Sequence, residues 1–240
     1  MASITFDRLR LHRCVLEIKH PKSYLYWDNC GKCILDIINK TEGKFDFKEL
    51  RGGQECTLKT DDSPFTEFSF GYQSSILASQ NLCNVNFFKK YAPILFDSVK
   101  QNLDIKEISR IGFRLWFIYK TDSEDDASSI INKSSIYNIS VTRFEGFGRE
   151  IKACDPIIII SDGSEKIRIS LNAAHRQSEY IINPEDKDAD EFSPKYCLLI
   201  DLDFYIEDAP PIDTDLSEFI GKCYNKVKNN ISNIINSPRQ

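Results

Sequence analysis

Cys30-Gly-Lys-Cys33 is the one spacing in this chain with a named chemistry. Two thiols a helical turn apart can work as a redox pair: a helix N-terminus lowers the pKa of the first, and the second resolves a mixed disulfide. Periodicity places both in the second and third turns of a helix over 24–40, on its apolar side and beyond the strongest part of the dipole. Cys30 and Cys33 therefore read first as buried thiols and only second as a redox site. Zinc would need a further ligand pair at short spacing, and there is no other C-x-x-C and no H-x-x-x-H. Asp201 and Asp203 could hold Mg2+ as paired carboxylates, but no third carboxylate stands at a defined spacing. His12, His20 and His175 are isolated from one another and from any nucleophile context, and each reads as structural. No G-x-S-x-G, P-loop or G-x-G-x-x-G is present, and Glu145-Gly-Phe-Gly148 is too short to cradle a phosphate. No catalytic residue, metal or cofactor is assigned.

The elements that position these groups are strands. Over 108–119 the residues Ile111, Phe113, Leu115 and Phe117 form one apolar face, while Arg110, Gly112, Arg114 and Trp116 point the other way. Over 196–207 Leu198, Ile200, Leu202, Phe204 and Ile206 alternate with Asp201, Asp203 and Tyr205. If the two strands share a sheet, arginines and aspartates meet on one surface, where opposite charges contribute roughly 0.2–1 kcal/mol per pair. Neutralisation across the sheet is thus the structural alternative to a metal site.

The remaining elements follow from pattern and punctuation. A strand over 4–18 changes parity near Asp7 and His12, which predicts bulges there. Ser23 is the expected cap of the first helix. Strands at 44–59 and 65–78 follow, with Gly52-Gly53 as a kink in the first and a turn at 61–64 between them. A helix is expected from Tyr91 to 104, with Pro93 in its first turn. The acidic run 122–134 reads as a linker between an N-terminal half, 1–121, and a C-terminal half, 135–240, or as a join within one continuous domain. A strand at 135–151, a hairpin turning at Asp162-Gly163 and a further strand near Tyr180 follow. The charged loop at 183–191 lacks the ligand order of a calcium loop. Asp213 to Asp215 cap a last helix over 214–235.

Composition bounds the rest. A 240-residue chain that is 41% hydrophobic can bury a sizeable core. The net charge of −5 argues against nucleic acid as a general partner, while leaving room for a local basic patch. No stretch approaches the roughly 20 apolar residues of a membrane span, and charge interrupts the N-terminus where an export signal would need an apolar run. The expected compartment is the cytoplasm. The eight cysteines are scattered, which suits buried thiols rather than a disulfide framework.

Val15-Leu-Glu-Ile-Lys19, the aromatic lead-in at Phe88 to Tyr91, Ser109-Arg-Ile-Gly-Phe-Arg114, and Leu198-Leu-Ile-Asp-Leu-Asp203 followed by Pro-Pro and a closing helix carry a resemblance. The layout resembles a sporadically distributed bacterial family of conserved hypothetical proteins. This chain departs from it at Arg10 to His12, where such proteins show prolines. The resemblance implies no catalytic residues. Its patchy distribution implies an accessory role, including in defence or conflict systems.

The expectation is therefore an α+β protein with antiparallel sheets whose one face is covered by helices, acting as a non-enzymatic binding protein. Its docking surface would be the open face bearing Arg110, Arg114, Trp116, Asp201, Asp203 and Tyr205, and its partner another protein. The alternatives are a small-molecule binder or enzyme with a cavity between sheet and helices, and a thiol redox protein using Cys30 and Cys33.

Overall fold

The computed structural model describes residues 3–134, 136, 156–175 and 194–236. Nine strands form one antiparallel sheet in the order β2-β3-β4-β5-β1-β6-β9-β8-β7. They are β1 (Arg10–Lys19), β2 (Asp46–Arg51), β3 (Glu55–Lys59), β4 (Thr66–Gly71), β5 (Ser74–Gln80), β6 (Arg110–Lys120), β7 (Ile157–Asp162), β8 (Glu165–His175) and β9 (Tyr196–Glu207). Among the described residues four helices, α1 (Tyr26–Lys40), α2 (Asn86–Asn102), α3 (Glu124–Lys133) and α4 (Leu216–Ile235), pack against it. The fold is the α+β arrangement expected from the alternation.

One core joins sheet and helices. Cys14, Leu16 and Ile18 of β1, the four odd apolar residues of β6, and Leu198, Ile200 and Leu202 of β9 are all buried in it. Period two makes this possible, because every second residue of each strand points to the same face. Phe88 and Phe96 of α2 meet Phe113 and Phe68 of the sheet, with ring centroids 5.9 and 5.4 Å apart. Both parity slips of the first strand have structural counterparts. A 3-10 turn spans Phe6–Arg8, and the β1–β6 register shifts between Leu11 and Arg13, so that Leu11 and Cys14 are both buried.

Five expectations are corrected. Residues 44–59 and 65–78 are two hairpins, because Gly52 and Gly53 both take positive φ and turn the chain fully. The acidic run contains α3: Ser123 caps it by accepting from the Asp126 N–H, and Ala127, Ile130 and Ile131 are buried. Strands from both sides of α3 share the sheet. The hairpin at 162–163 turns one residue later, since Asp162 pairs with Glu165 and Gly163 alone takes positive φ, as a type II′ turn requires. Ser23 does not cap α1; its hydroxyl donates to the Leu103 carbonyl. Helix α2 begins at Asn86, which places Pro93 inside the helix rather than in its first turn. The strands expected at 135–151 and near Tyr180, the bend at Glu145-Gly-Phe-Gly148, the charged loop at 183–191 and the His175 side chain lie outside the described residues. Among the described residues, no helix is long and apolar enough to cross a membrane.

Candidate functional site

The face of the sheet turned away from the helices carries the even residues of β6 and the odd residues of β9. β6 and β9 are neighbours, with Arg114 opposite Asp203, Gly112 opposite Tyr205 and Trp116 opposite Asp201. On the flanks, β1 sets Arg13 beside Trp116 and Glu17 beside Gly112, and β8 sets Lys166 beside Tyr205 and Arg168 beside Asp203. All six residues expected on this surface are therefore brought together. Arg13, Glu17, Lys166 and Arg168 join them. No local pattern marks those four as neighbours of the central pair of strands, because strand order is a property of the whole sheet.

The ion pairs run diagonally rather than straight across, because a guanidinium on a long stem reaches past its register partner. Arg114 grips Asp201 with two bonds, Nε to Oδ1 at 2.8 Å and NH2 to Oδ2 at 2.5 Å. The Trp116 indole N–H donates to Asp201 Oδ1 at 2.8 Å, and Arg168 donates to Oδ2 at 3.4 Å. Asp201 is buried, so these donors replace the water it has lost. With both oxygens engaged by cations and an indole, Asp201 is built to hold side chains in place.

Arg110 makes a second knot. Its guanidinium donates to Glu17 Oε2 at 2.5 Å and to Asp203 Oδ2 at 3.0 Å, and it lies 5.2 Å from the centre of the Tyr205 ring. Gly112 makes this possible: a Cβ there would stand 2.7 Å from Arg110 NH1. Glycine inside a strand marks a close approach, and here the approaching group is the arginine of the same strand. Burial raises the Asp203 carboxyl above its ordinary range, with Arg110 and Arg114 pulling the other way.

Trp116 sits between two arginines. The guanidinium carbons of Arg13 and Arg114 lie 4.9 and 5.0 Å from its ring. Each contact is worth about 0.5–1 kcal/mol where partly exposed. Arg13 makes no ion pair among the described residues, and the Arg114 side chain is 41% exposed. On β1, β6, β9 and β8 this face bears eight cations, Arg10, Arg13, Lys19, Arg110, Arg114, Lys120, Lys166 and Arg168, against four carboxylates, Glu17, Asp201, Asp203 and Glu207. A chain of net charge −5 thus carries a locally basic surface. The surface dries out beyond Trp116, where Ile118 and Cys197 are buried.

No family model matches the chain, and no curated relative does.

The cysteines present a different picture. Cys33 is fully buried with its thiol 3.5 Å from the Ser98 carbonyl, and burial pushes its pKa up to about 12. Cys30 is half-buried. Burial raises Cys56 as well, whose sulfur lies 3.4 Å from the Tyr26 hydroxyl. In a redox pair Cys33 would be the resolving thiol, and burial both shields it and disfavours its thiolate.

Proposed function

We propose that this chain is a non-enzymatic binding protein that docks a partner protein on the face of the sheet opposite the described helices, centred on Trp116. The observation that carries this reading is an indole held between Arg13 and Arg114 with its N–H bonded to Asp201. Tryptophan and arginine dominate the energetics of protein interfaces, and groups already held in place lose little freedom on binding. The excess of cations suits a partner surface that presents carboxylates around an apolar centre. Such a module acts by assembly, which agrees with an accessory role in a bacterial defence or conflict system.

The test is affinity purification of the tagged chain from its native host, side by side with Arg13→Glu. Among the described residues Arg13 makes no ion pair that the substitution would break, and the variant reverses the charge beside Trp116. One stoichiometric protein held by the wild type and lost by the variant supports the reading. Equal recovery by both, or recovery of nucleic acid alone, overturns it.

A further inference from the structure

The two edges of the sheet are built differently. β2 closes one side and β7 the other. β2 carries Asp46, Lys48, Glu49 and Arg51 and shifts register between Phe47 and Glu49. Charges and a bulge keep an edge strand from pairing with another chain. β7 has neither over its first four residues. Its ladder with β8 runs from Ile157 to Asp162 without a shift, and residues 157–160 are all isoleucine. Ile157, Ile159 and Ile160 are 58%, 61% and 51% exposed. Among the described residues, no strand pairs with the outer side of β7.

The backbone of β7 decides what fits that side. Its two-residue turn closes on the pair Asp162 and Glu165, and the Leu171 N–H donates to the Pro156 carbonyl at 3.4 Å. Hydrogen-bonded pairs alternate along an antiparallel ladder, so positions 156, 158, 160 and 162 are the ones that bond to β8. Ile157, Ile159 and Ser161 therefore aim their N–H and C=O groups outward. These three positions are symmetric about Ile159. A second β7 laid antiparallel with the two Ile159 residues opposite each other lets every one of them both donate and accept. Ile157 then pairs with the partner's Ser161, and Ser161 with the partner's Ile157. A slip of two residues either way leaves one of the three unpaired.

Side chains suit the same register. A two-fold axis perpendicular to the sheet keeps each face on its own side. On the charged face Ile159 stands beside Arg168 of β8 and meets the partner's Ile159. On the helix face Ile158 meets the partner's Ile160, which extends the apolar groove that Ile160, Ile167 and Ile169 form with α4. No like charges are forced together at the centre. Arg168 and the partner's Arg168 stand three strand spacings apart, about 14 Å, beyond the roughly 8 Å over which charges interact in physiological salt. The area involved sets the strength: one short strand edge with three half-exposed isoleucines falls below the roughly 1,200 Å² of a stable complex, so the pairing is reversible.

We propose that β7 is a self-association edge, through which two copies of this chain pair antiparallel about a two-fold axis at Ile159 and join their sheets into one. Both charged faces then lie on the same side of the joined sheet. The proposal is independent of what docks on that face.

Sedimentation velocity of the full chain, from low to several hundred micromolar, is the test, applied to the wild type, Ile159→Lys, Ile159→Glu and an equimolar mixture of the two variants. The wild type is expected to pass from monomer to dimer with a dissociation constant in the tens of micromolar. Either variant alone sets like charges opposite each other at the axis and dimerises at least about tenfold more weakly. The mixture pairs Lys with Glu and regains the dimer, a recovery that damage to the fold would not produce. Should a variant not fold, oxidation of Ile159→Cys is expected to give a dimer linked through residue 159 in peptide mass spectra, because Cα atoms of such a pair stand about 5.5 Å apart, within disulfide reach. A wild type that stays monomeric throughout overturns the proposal, whether the amides of Ile157, Ile159 and Ser161 exchange freely or are protected by another segment of the same chain. So does a dimer indifferent to both charged variants, a mixture that recovers nothing, or oxidation that leaves residue 159 unlinked.

Discussion

The Ser217 hydroxyl of α4 donates to the Lys89 carbonyl of α2 at 2.5 Å, and Lys89 is the residue four positions before Pro93. Inside a helix the N–H of residue 93 would take that carbonyl, but proline has none. The second helix supplies the missing donor, so a local defect becomes a tie between α2 and α4. Ser217→Ala is expected to lower stability by about 0.5–1.5 kcal/mol. Pro93→Ala restores the helical donor, and in its background Ser217→Ala becomes nearly neutral. Urea unfolding of the two single variants and the double variant measures this coupling, and strict additivity would contradict it.

Asp201 organises the charged face of the sheet, and its loss strands two guanidinium groups and an indole N–H. Breaking a fully buried pair costs about 3–5 kcal/mol. Because Arg114 is 41% exposed and keeps part of its water, Asp201→Ala should cost about 2–3 kcal/mol. The indole fluorescence of Trp116 should shift with it, as its hydrogen bond and its ordered stacking are lost together.

His20 links stability to pH. Its folded pKa lies below the ordinary 6.5 because burial penalises the charged ring, with the bond to the Pro21 carbonyl opposing. As pH falls the unfolded chain takes up the proton first, so this contribution is present above about pH 6.5 and is lost as pH falls toward the lower folded value. The charged groups that line the same cavity as His20 are Asp97 and Lys100 of α2 with Asp213 and Asp215 before α4. Unfolding free energies from pH 7.5 down to 5 should decline in the wild type, and His20→Asn should flatten that part of the curve.

Thiol exposure sets the order of alkylation. Cys83 is exposed, whereas burial holds Cys33 and Cys223 each up to about 12 and Cys197 up to about 11. Iodoacetamide at pH 8 should label Cys83 first, and should reach Cys33, Cys197 and Cys223 only after denaturant is added. Mass spectrometry reads the order. Early labelling of Cys33 in the native protein would return the redox reading to the front.

Much of the architecture was legible locally. The alternation of Ile111, Phe113, Leu115 and Phe117 with Arg110, Arg114 and Trp116 marks a half-buried strand wherever it sits, because side chains alternate between faces with period two. The same logic placed Asp201, Asp203 and Tyr205 on one surface, and the 3.6-residue spacing from Leu216 to Ile231 with Asp215 before it declared α4. Other features were hidden for stated reasons. Helix α3 is half acid and serine, and it is held by burying Ala127, Ile130 and Ile131 against a sheet that its own residues do not describe.

By itself, then, the sequence determined which side of each central strand is dry and which is charged, since that depends only on neighbours two positions apart. Strand order and register decided everything that depends on distant segments meeting. They sent Arg114 to Asp201 rather than to Asp203 directly opposite, laid Arg110 over Gly112, brought Arg13 of β1 onto Trp116 of β6, and enclosed His20 and Ser75 in one cavity. The physical reason is reach: periodicity acts within a few residues, whereas a hydrogen bond between side chains 87 positions apart exists only once the whole sheet has set its alignment.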